Sequence, residues 1–190
     1  YVGRCRLILL DTNIEENEDN VRELTAQLYG GDNRTRIRQE LVLGVGGMRV
    51  LQAMGIHPAV LHLNEGHSAF ALLELAKQLM ERDGQSFQNV RERVETMSVF
   101  TTHTPVPAGH DRFEPDLMEE TLAPLRGKLN LSEEELLALG RARPDDAQEP
   151  FCMTVLGLGM ARTRNAVSHL HQRVSRGMWH MLWPDRSRED

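Results

Sequence analysis

The sequence predicts an α/β protein, a Rossmann-like parallel sheet with flanking helices. Short apolar runs that stop abruptly at polar residues read as buried strands, and stretches with apolar residues at steps of three and four read as helices. The two kinds alternate as strand, helix, strand, helix, helix, strand, the order of a parallel sheet with right-handed crossovers. At 190 residues, one domain is the expected organisation.

The first strand is expected over residues 4–10, with Asp11-Thr12-Asn13 as the loop at its carboxyl end. Residues 14–33 are polar and read as loop around one short helix. Ile37, Leu41, Val45, Met48 and Leu51 then mark a helix from Thr35 to about Met54, stopped by Gly55 and Pro58. Residues 59–64 form the second strand, and Glu65-Gly66-His67 turns into a helix with Phe70, Leu73, Leu75 and Leu79 on its face, ending near Asp83-Gly84. A short helix over 86–97 leads to the third strand, 98–102, rich in β-branched and aromatic residues.

Three prolines make 105–115 a loop, and 117–125 is helical. Ser132 followed by three glutamates is an N-cap with an acidic first turn, opening a helix through Leu139. Residues 141–150 are a polar connector. A buried helix over 153–161, a short strand over 166–168 and a helix over 169–179 follow, then a polar tail over 184–190.

Composition excludes several functions. The chain has 22 Lys and Arg against 28 Asp and Glu, for a net charge of −6. A nucleic-acid binder would show a basic patch or stripe, so no nucleic-acid partner is expected. No apolar run approaches the ~20 residues of a membrane helix, and no membrane partner is expected. The opening lacks the basic segment and apolar run of a signal peptide. The two cysteines, Cys5 and Cys152, are too few for a disulfide framework, which suits a reducing cytoplasm. The first residue, Tyr1, suggests a piece of something longer.

Two glycine clusters fail as nucleotide motifs. Gly44-Val45-Gly46-Gly47 lies within a helix and has Arg49 where the third fingerprint glycine belongs. Gly157-Leu158-Gly159 fails likewise, with Arg162 at that place, so close helix packing is the expected reason for both. His57, His62 and His67 recur every five residues, which puts neighbours on opposite faces of a strand, and no metal site is expected. His169 and His171 read as structural.

Two loops stand apart. Asn64-Glu65-Gly66-His67 and His103-Thr104-Pro105-Val106-Pro107 follow the carboxyl ends of strands, the edge where open α/β sheets bind ligands. Each sets a histidine among amide, hydroxyl or carboxylate groups suited to sugar hydroxyls. Asp11-Thr12-Asn13 is expected on the same edge.

These residues also carry a resemblance. Leu9-Leu10-Asp11-Thr12-Asn13, and Leu28-Tyr29-Gly30-Gly31-Asp32 running into Thr35-Arg36-Ile37-Arg38-Gln39-Glu40, resemble the α-glucan phosphorylases of the shorter bacterial type. So do Asn64-Glu65-Gly66-His67 and the stretch from Phe100 through His103-Thr104-Pro105 to Asp111-Arg112-Phe113. Ser168-His169-Leu170-His171, Val174-Ser175-Arg176 and Met178-Trp179 complete five blocks in the family's order. One departure is Cys152-Met153-Thr154, where members usually show Asn-Met-Thr.

The resemblance implies a two-domain glycosyltransferase-B (GT-B) enzyme that uses pyridoxal 5'-phosphate and phosphate to release glucose 1-phosphate from α-1,4-glucan or maltodextrin. It implies that residues 1–183 are the later half of the N-terminal domain, and that the cofactor lysine and most phosphate contacts lie in a missing C-terminal domain. A second copy of the full enzyme is a further implied partner. His103 is implied as the residue at the reacting sugar, its side chain on the 6-hydroxyl and its carbonyl facing the anomeric carbon, with Thr104 fixing that loop. Asn64, Glu65, Gly66 and His67 are implied as the acceptor-sugar side. The fragment alone is expected to be inactive. The rival reading is a non-catalytic glucan-binding or interaction module.

Overall fold

A computed structural model describes residues 1–28 and 31–187. Tyr29 and Gly30 of the glycine-bearing motif, and Arg188, Glu189 and Asp190 of the expected tail, lie outside the described residues.

The architecture is α/β. A short helix α1 (Asp19–Arg22) precedes α2 (Asn33–Leu41), which starts where the Asp32 side chain accepts the Thr35 N–H at 2.9 Å. The helical path continues through a π-helical turn (Val42–Gly46) into α3 (Gly47–Ala53) and stops at Gly55, whose φ of +68° suits a residue without Cβ. The π turn sits where Gly44 meets the next helix: a Cβ there would lie 2.8 Å from the Ala71 backbone nitrogen. That close approach is the packing role expected of the cluster, and it falls on Gly44 alone: Gly46 has only ordinary contacts and Gly47 meets nothing within 4 Å.

β1 (Leu61–Asn64) leads through a 3₁₀ turn (Gly66–Ser68) into α4 (Phe70–Asp83), then α5 (Phe87–Met97) and β2 (Ser98–Thr102). α4 is the central helix and is buried on nearly every side. Its Glu74 has no exposure and is compensated by Lys77 at 2.8 Å and Arg49 at 3.4 Å. A 3₁₀ turn (Pro107–Gly109), β3 (Arg112–Phe113), α6 (Pro115–Leu129) and α7 (Glu133–Ala138) come next. The Ser132–Glu135 capping box forms in both directions. β4 (Phe151–Cys152), α8 (Met153–Gly159), β5 (Thr163–Ala166), α9 (His169–Trp179) and a 3₁₀ turn (His180–Leu182) complete the fold.

The main sheet has order β1-β2-β5, all parallel, with Asn64 beside Thr101 and Thr102 beside Ala166. Phe70, Leu72, Leu73, Phe100, Phe113, Met118 and Phe151 fill the core. Gly157 lets the Phe100 ring approach, since a Cβ would lie 2.3 Å from it. Gly159 has no such neighbour. Among the described residues, no helix is long and apolar enough to cross a membrane.

The structure corrects four expectations. Residues 4–10 do not join the sheet: Val2 and Cys5 bridge each other, and Leu7 and Leu9 are exposed. The segment runs past β1 along an apolar groove of about 540 Å³ lined by Leu9, Leu10, Leu43, Leu51 and Leu61. Its apolar side chains gain partial cover there without a ladder. The Asp11-Thr12-Asn13 turn therefore does not end a strand. It closes on α1, where Asn13 accepts from Arg22 at 3.0 Å, and on Thr25, whose hydroxyl bonds Asp11 at 3.0 Å.

The last strand is 163–166 rather than 166–168, because an edge strand tolerates the polar Thr163-Arg164-Asn165 and frees Ser168 to cap α9. α6 is longer than the 117–125 expected: Pro115 is favoured at a first helical position, and the helix runs past Pro124 to a left-handed Asn130. Finally, β3 lies in the stretch expected to be loop and pairs antiparallel with β4, which falls between the expected connector and helix where no strand was expected.

Candidate functional site

The parallel register sets the carboxyl ends of β1 and β2 side by side, so the 64–67 and 103–104 loops share one edge. Glu65 joins them. It leaves β1 with φ 64° and ψ 175°, a conformation essentially confined to glycine, and its own N–H still reaches back to the Thr101 carbonyl at 2.9 Å. In that pose the Glu65 Oε1 accepts from the backbone N–H of Thr104 at 2.7 Å, from the Thr102 hydroxyl at 3.2 Å and from the backbone N–H of His103. Burial acts to raise the Glu65 carboxyl. The loop amides, the hydroxyl and the nearby His110 outweigh it and hold the group below the ordinary carboxylate value.

The His103 ring is exposed and donates from Nε2 to Asn64 Oδ1 at 3.0 Å, which ties the second loop to the end of β1. Gly109 lets the loop fold back on Thr104, since a Cβ there would lie 2.5 Å from the Thr104 methyl. Gly66 packs directly on the start of α8, where a Cβ would meet Met153 and Thr154 at about 3.0 Å. His110 is buried behind the loop. Its Nδ1 is 2.9 Å from Thr154 Oγ1 and its ring stands edge-on to Trp179 at 4.9 Å. Burial pushes the His110 imidazole below its ordinary value, keeping it neutral near pH 7.

His67 faces a different set of partners. Its Nδ1 lies 3.0 Å from Asp111 Oδ2, 2.7 Å from Arg36 Nη2 and 3.5 Å from Glu40 Oε1. Glu40, His67 and Asp111 thus bring ligand-type atoms within 4.8 Å of one another. The Arg36 guanidinium already lies among them, 3.1 Å from Asp111 and 3.4 Å from Glu40, and supplies a cation to the two acids.

The structure gathers Asn64, Glu65, Gly66, His67, His103 and Thr104 at one edge, although Glu65 and Gly66 are buried and spend their contacts on the protein itself. Arg36, Glu40, His110, Asp111 and Thr154 lie in or beside the blocks that carry the resemblance but were given no site role from sequence. Arg36 and Glu40 carry a readable sign: charges four apart, beside the apolar Ile37 and Leu41 of an inward-facing helix. A cleft of about 710 Å³ opens beside the ends of β2 and β5, lined among others by Thr102, Asn165, Ser168, His169 and Trp179. His171 is buried, 3.3 Å from Ser175, as its structural reading expects.

The chain carries two lysines, which bear on a lysine-bound cofactor. Lys77 is held by Glu74 on α4 and Lys128 is exposed near the end of α6; neither belongs to the edge loops. These residues do not fit such a cofactor.

Fold and site define a parallel α/β unit with a polar, histidine-bearing loop pair at the carboxyl edge of its sheet. No family model matches the chain. It is 44% identical over 183 residues to the maltodextrin phosphorylase of Thermococcus litoralis, covering 96% of this chain and 21% of that protein. It is 42% identical over 193 residues to a Mycobacterium tuberculosis glycogen phosphorylase, and 35% identical over 185 residues to that of Aquifex aeolicus, covering 22% and 26% of their lengths. The chain is therefore homologous, over nearly all its length, to a segment of the maltodextrin and glycogen phosphorylases, and it spans about a fifth to a quarter of the relatives it matches.

Proposed function

We propose that this chain is the glucan-side part of the active site of an α-1,4-glucan phosphorylase, an enzyme that transfers a terminal glucosyl unit to phosphate and yields glucose 1-phosphate. The observation that carries the reading is the Glu65 carboxylate gripping the His103–Thr104 backbone at the edge where the homologous blocks converge. A loop fixed in this way can aim the His103 carbonyl dipole at positive charge developing on the anomeric carbon, without reorganising as the reaction proceeds. Asn64 and His67 orient acceptor hydroxyls, which is positioning rather than proton transfer.

In this reading residues 1–183 are part of an N-terminal domain of GT-B type, located in the cytoplasm. Pyridoxal phosphate, its lysine and the phosphate contacts belong to a second domain of the parent protein, and the 190-residue chain alone does not turn over glucan. Binding and orienting the sugar are what its own residues contribute.

The test is a titration of the isotope-labelled chain with maltoheptaose, followed by NMR. Shift changes centred on Asn64–His67 and His103–Thr104, without release of glucose 1-phosphate when phosphate is added, are the expected result. Changes confined to other surfaces contradict the placement, and phosphorolysis by the chain alone contradicts the division of labour.

A further inference from the structure

Glu40 and Asp111 have no part in the reading above, yet they form an acid pair beside the site, Glu40 buried and Asp111 half-buried. Glu40 is 1% exposed, and neither of its oxygens has a hydrogen-bond partner within normal distance. The nearest donors are Arg36 at 3.4 Å and His67 at 3.5 Å. Asp111 is better served. Arg36 reaches both of its oxygens, His67 Nδ1 lies at 3.0 Å, and its backbone carbonyl accepts the Met153 N–H at 3.1 Å, which fixes the residue to the start of α8.

We propose that Asp111, backed by Arg36 and Glu40, is a positioning residue that grips His67 by its Nδ1 edge and holds it as an imidazolium cation, so that the glucan-side site presents a charged ring rather than a neutral one. The proposal rests on the glucan-side reading for its ligand but not for its chemistry.

The geometry selects a ring with Nδ1–H, and a carboxylate 3.0 Å from that nitrogen favours the ring that also carries a proton on Nε2. Nδ1 can give a hydrogen to Asp111 or take one from Arg36, but not both. Arg36 Nη2 and His67 Nδ1 converge on the same Asp111 oxygen, and each has an oxygen of Glu40 within 3.5 Å. Two acidic groups on one edge of the ring favour the Nδ1–H and offset the neighbouring guanidinium. A neutral ring accepting from Arg36 would leave its lone pair between two carboxyl groups.

The charged and titratable groups that face the ring are Asp111 from the loop before β3, and Glu40 and Arg36 from α2. The bond to Asp111 and then the nearby Glu40 raise the imidazole to about 9, against opposition from burial and Arg36. Burial raises Glu40 to about 8, while against burial the bonds from His67 and Arg36, with Glu40 beside them, hold Asp111 well below the usual range. Because His67 and Glu40 are 3.5 Å apart, their protons leave in two coupled steps.

The experiment is an NMR titration of the His67 ring nitrogens in the full 190-residue chain, in the wild type, D111N and E40Q, together with maltoheptaose affinity. The expected result is a wild-type ring protonated on both nitrogens at pH 7.5, with both titration steps above the ordinary imidazole range. E40Q leaves a single step. D111N lowers the ring's titration by a unit or more and weakens maltoheptaose binding about fivefold at pH 7.5, with affinity regained at pH 5.5.

A wild-type ring that titrates at its ordinary value overturns the proposal even if D111N does not fold, as does a folded D111N that leaves the titration unmoved. A wild type that binds no maltoheptaose at any pH sinks the glucan reading, while the ring titration still decides the protonation state.

Discussion

The Glu65 carboxylate accepts the backbone N–H of Thr104 at 2.7 Å, across 39 residues of sequence. This bond, with its companions to His103 and Thr102, ties the loop after β2 to the end of β1. It is formed by a residue whose own backbone is strained at φ 64°. Strain that persists at a site is held there by the contacts it makes possible.

Glu65→Ala removes the acceptor and leaves the loop donors unsatisfied, which should cost roughly 1–3 kcal/mol for each buried group left without a partner. Glu65→Gly loses the same bonds but relieves the backbone, so it should be about 1 kcal/mol less damaging than the alanine variant. Urea unfolding of the pair checks both. A glycine variant less stable than the alanine one means the strain argument is wrong.

Stability should peak near the ordinary carboxylate values and fall on both sides, the alkaline side being the broader. Glu65 and Asp111 have lowered carboxyls, so their contributions are present above the ordinary carboxylate values and are lost as pH falls through the folded ones. His67 is raised to about 9 and Glu40 to about 8, so their contributions are complete below the ordinary values and are lost progressively as pH rises from there through the folded ones. Denaturant midpoints measured from pH 3 to 10 should fall at both ends, the alkaline fall ending near pH 9. An unchanged midpoint between pH 6 and 9.5 contradicts the assignment of the cluster.

The glycines of the 44–47 cluster should respond in opposite directions. Gly44→Ala drives a methyl into the Ala71 backbone, and overpacking of this kind costs about 1–3 kcal/mol. Gly47→Ala meets nothing within 4 Å in a helix, so it should stabilise by about 0.5–1 kcal/mol. Thermal unfolding of the two variants separates a packing role from a generic effect of glycine.

Periodicity made α2 to α5 legible, and burial made β1 and β2 legible, because each is dominated by its own apolar pattern. Residues 4–10 misled because a short apolar run encodes burial, not pairing, and a groove provides part of that burial without hydrogen bonds. β5 was displaced because Thr163-Arg164-Asn165 is an edge strand with no apolar face to read. The six candidate residues were visible as two short segments at the carboxyl ends of strands. What stayed hidden was which of them face inward. The inward turn of Glu65 depends on a positive φ that no side-chain pattern announces, and the His67 cluster joins residues 31 and 44 positions apart.

The central claim is that His103 sits at the reacting sugar, and it is tested most directly by kinetics in a complete enzyme. This segment would replace its counterpart in the Thermococcus litoralis maltodextrin phosphorylase, and His103→Ala would be compared with His171→Ala on maltoheptaose and phosphate. Loss of the ring contact and of the carbonyl's aim should lower kcat/KM at least about tenfold, mostly in kcat. His171→Ala should instead lower stability and spare the chemistry. A folded His103→Ala enzyme with unchanged kcat/KM contradicts the placement of this edge at the site of glucosyl transfer.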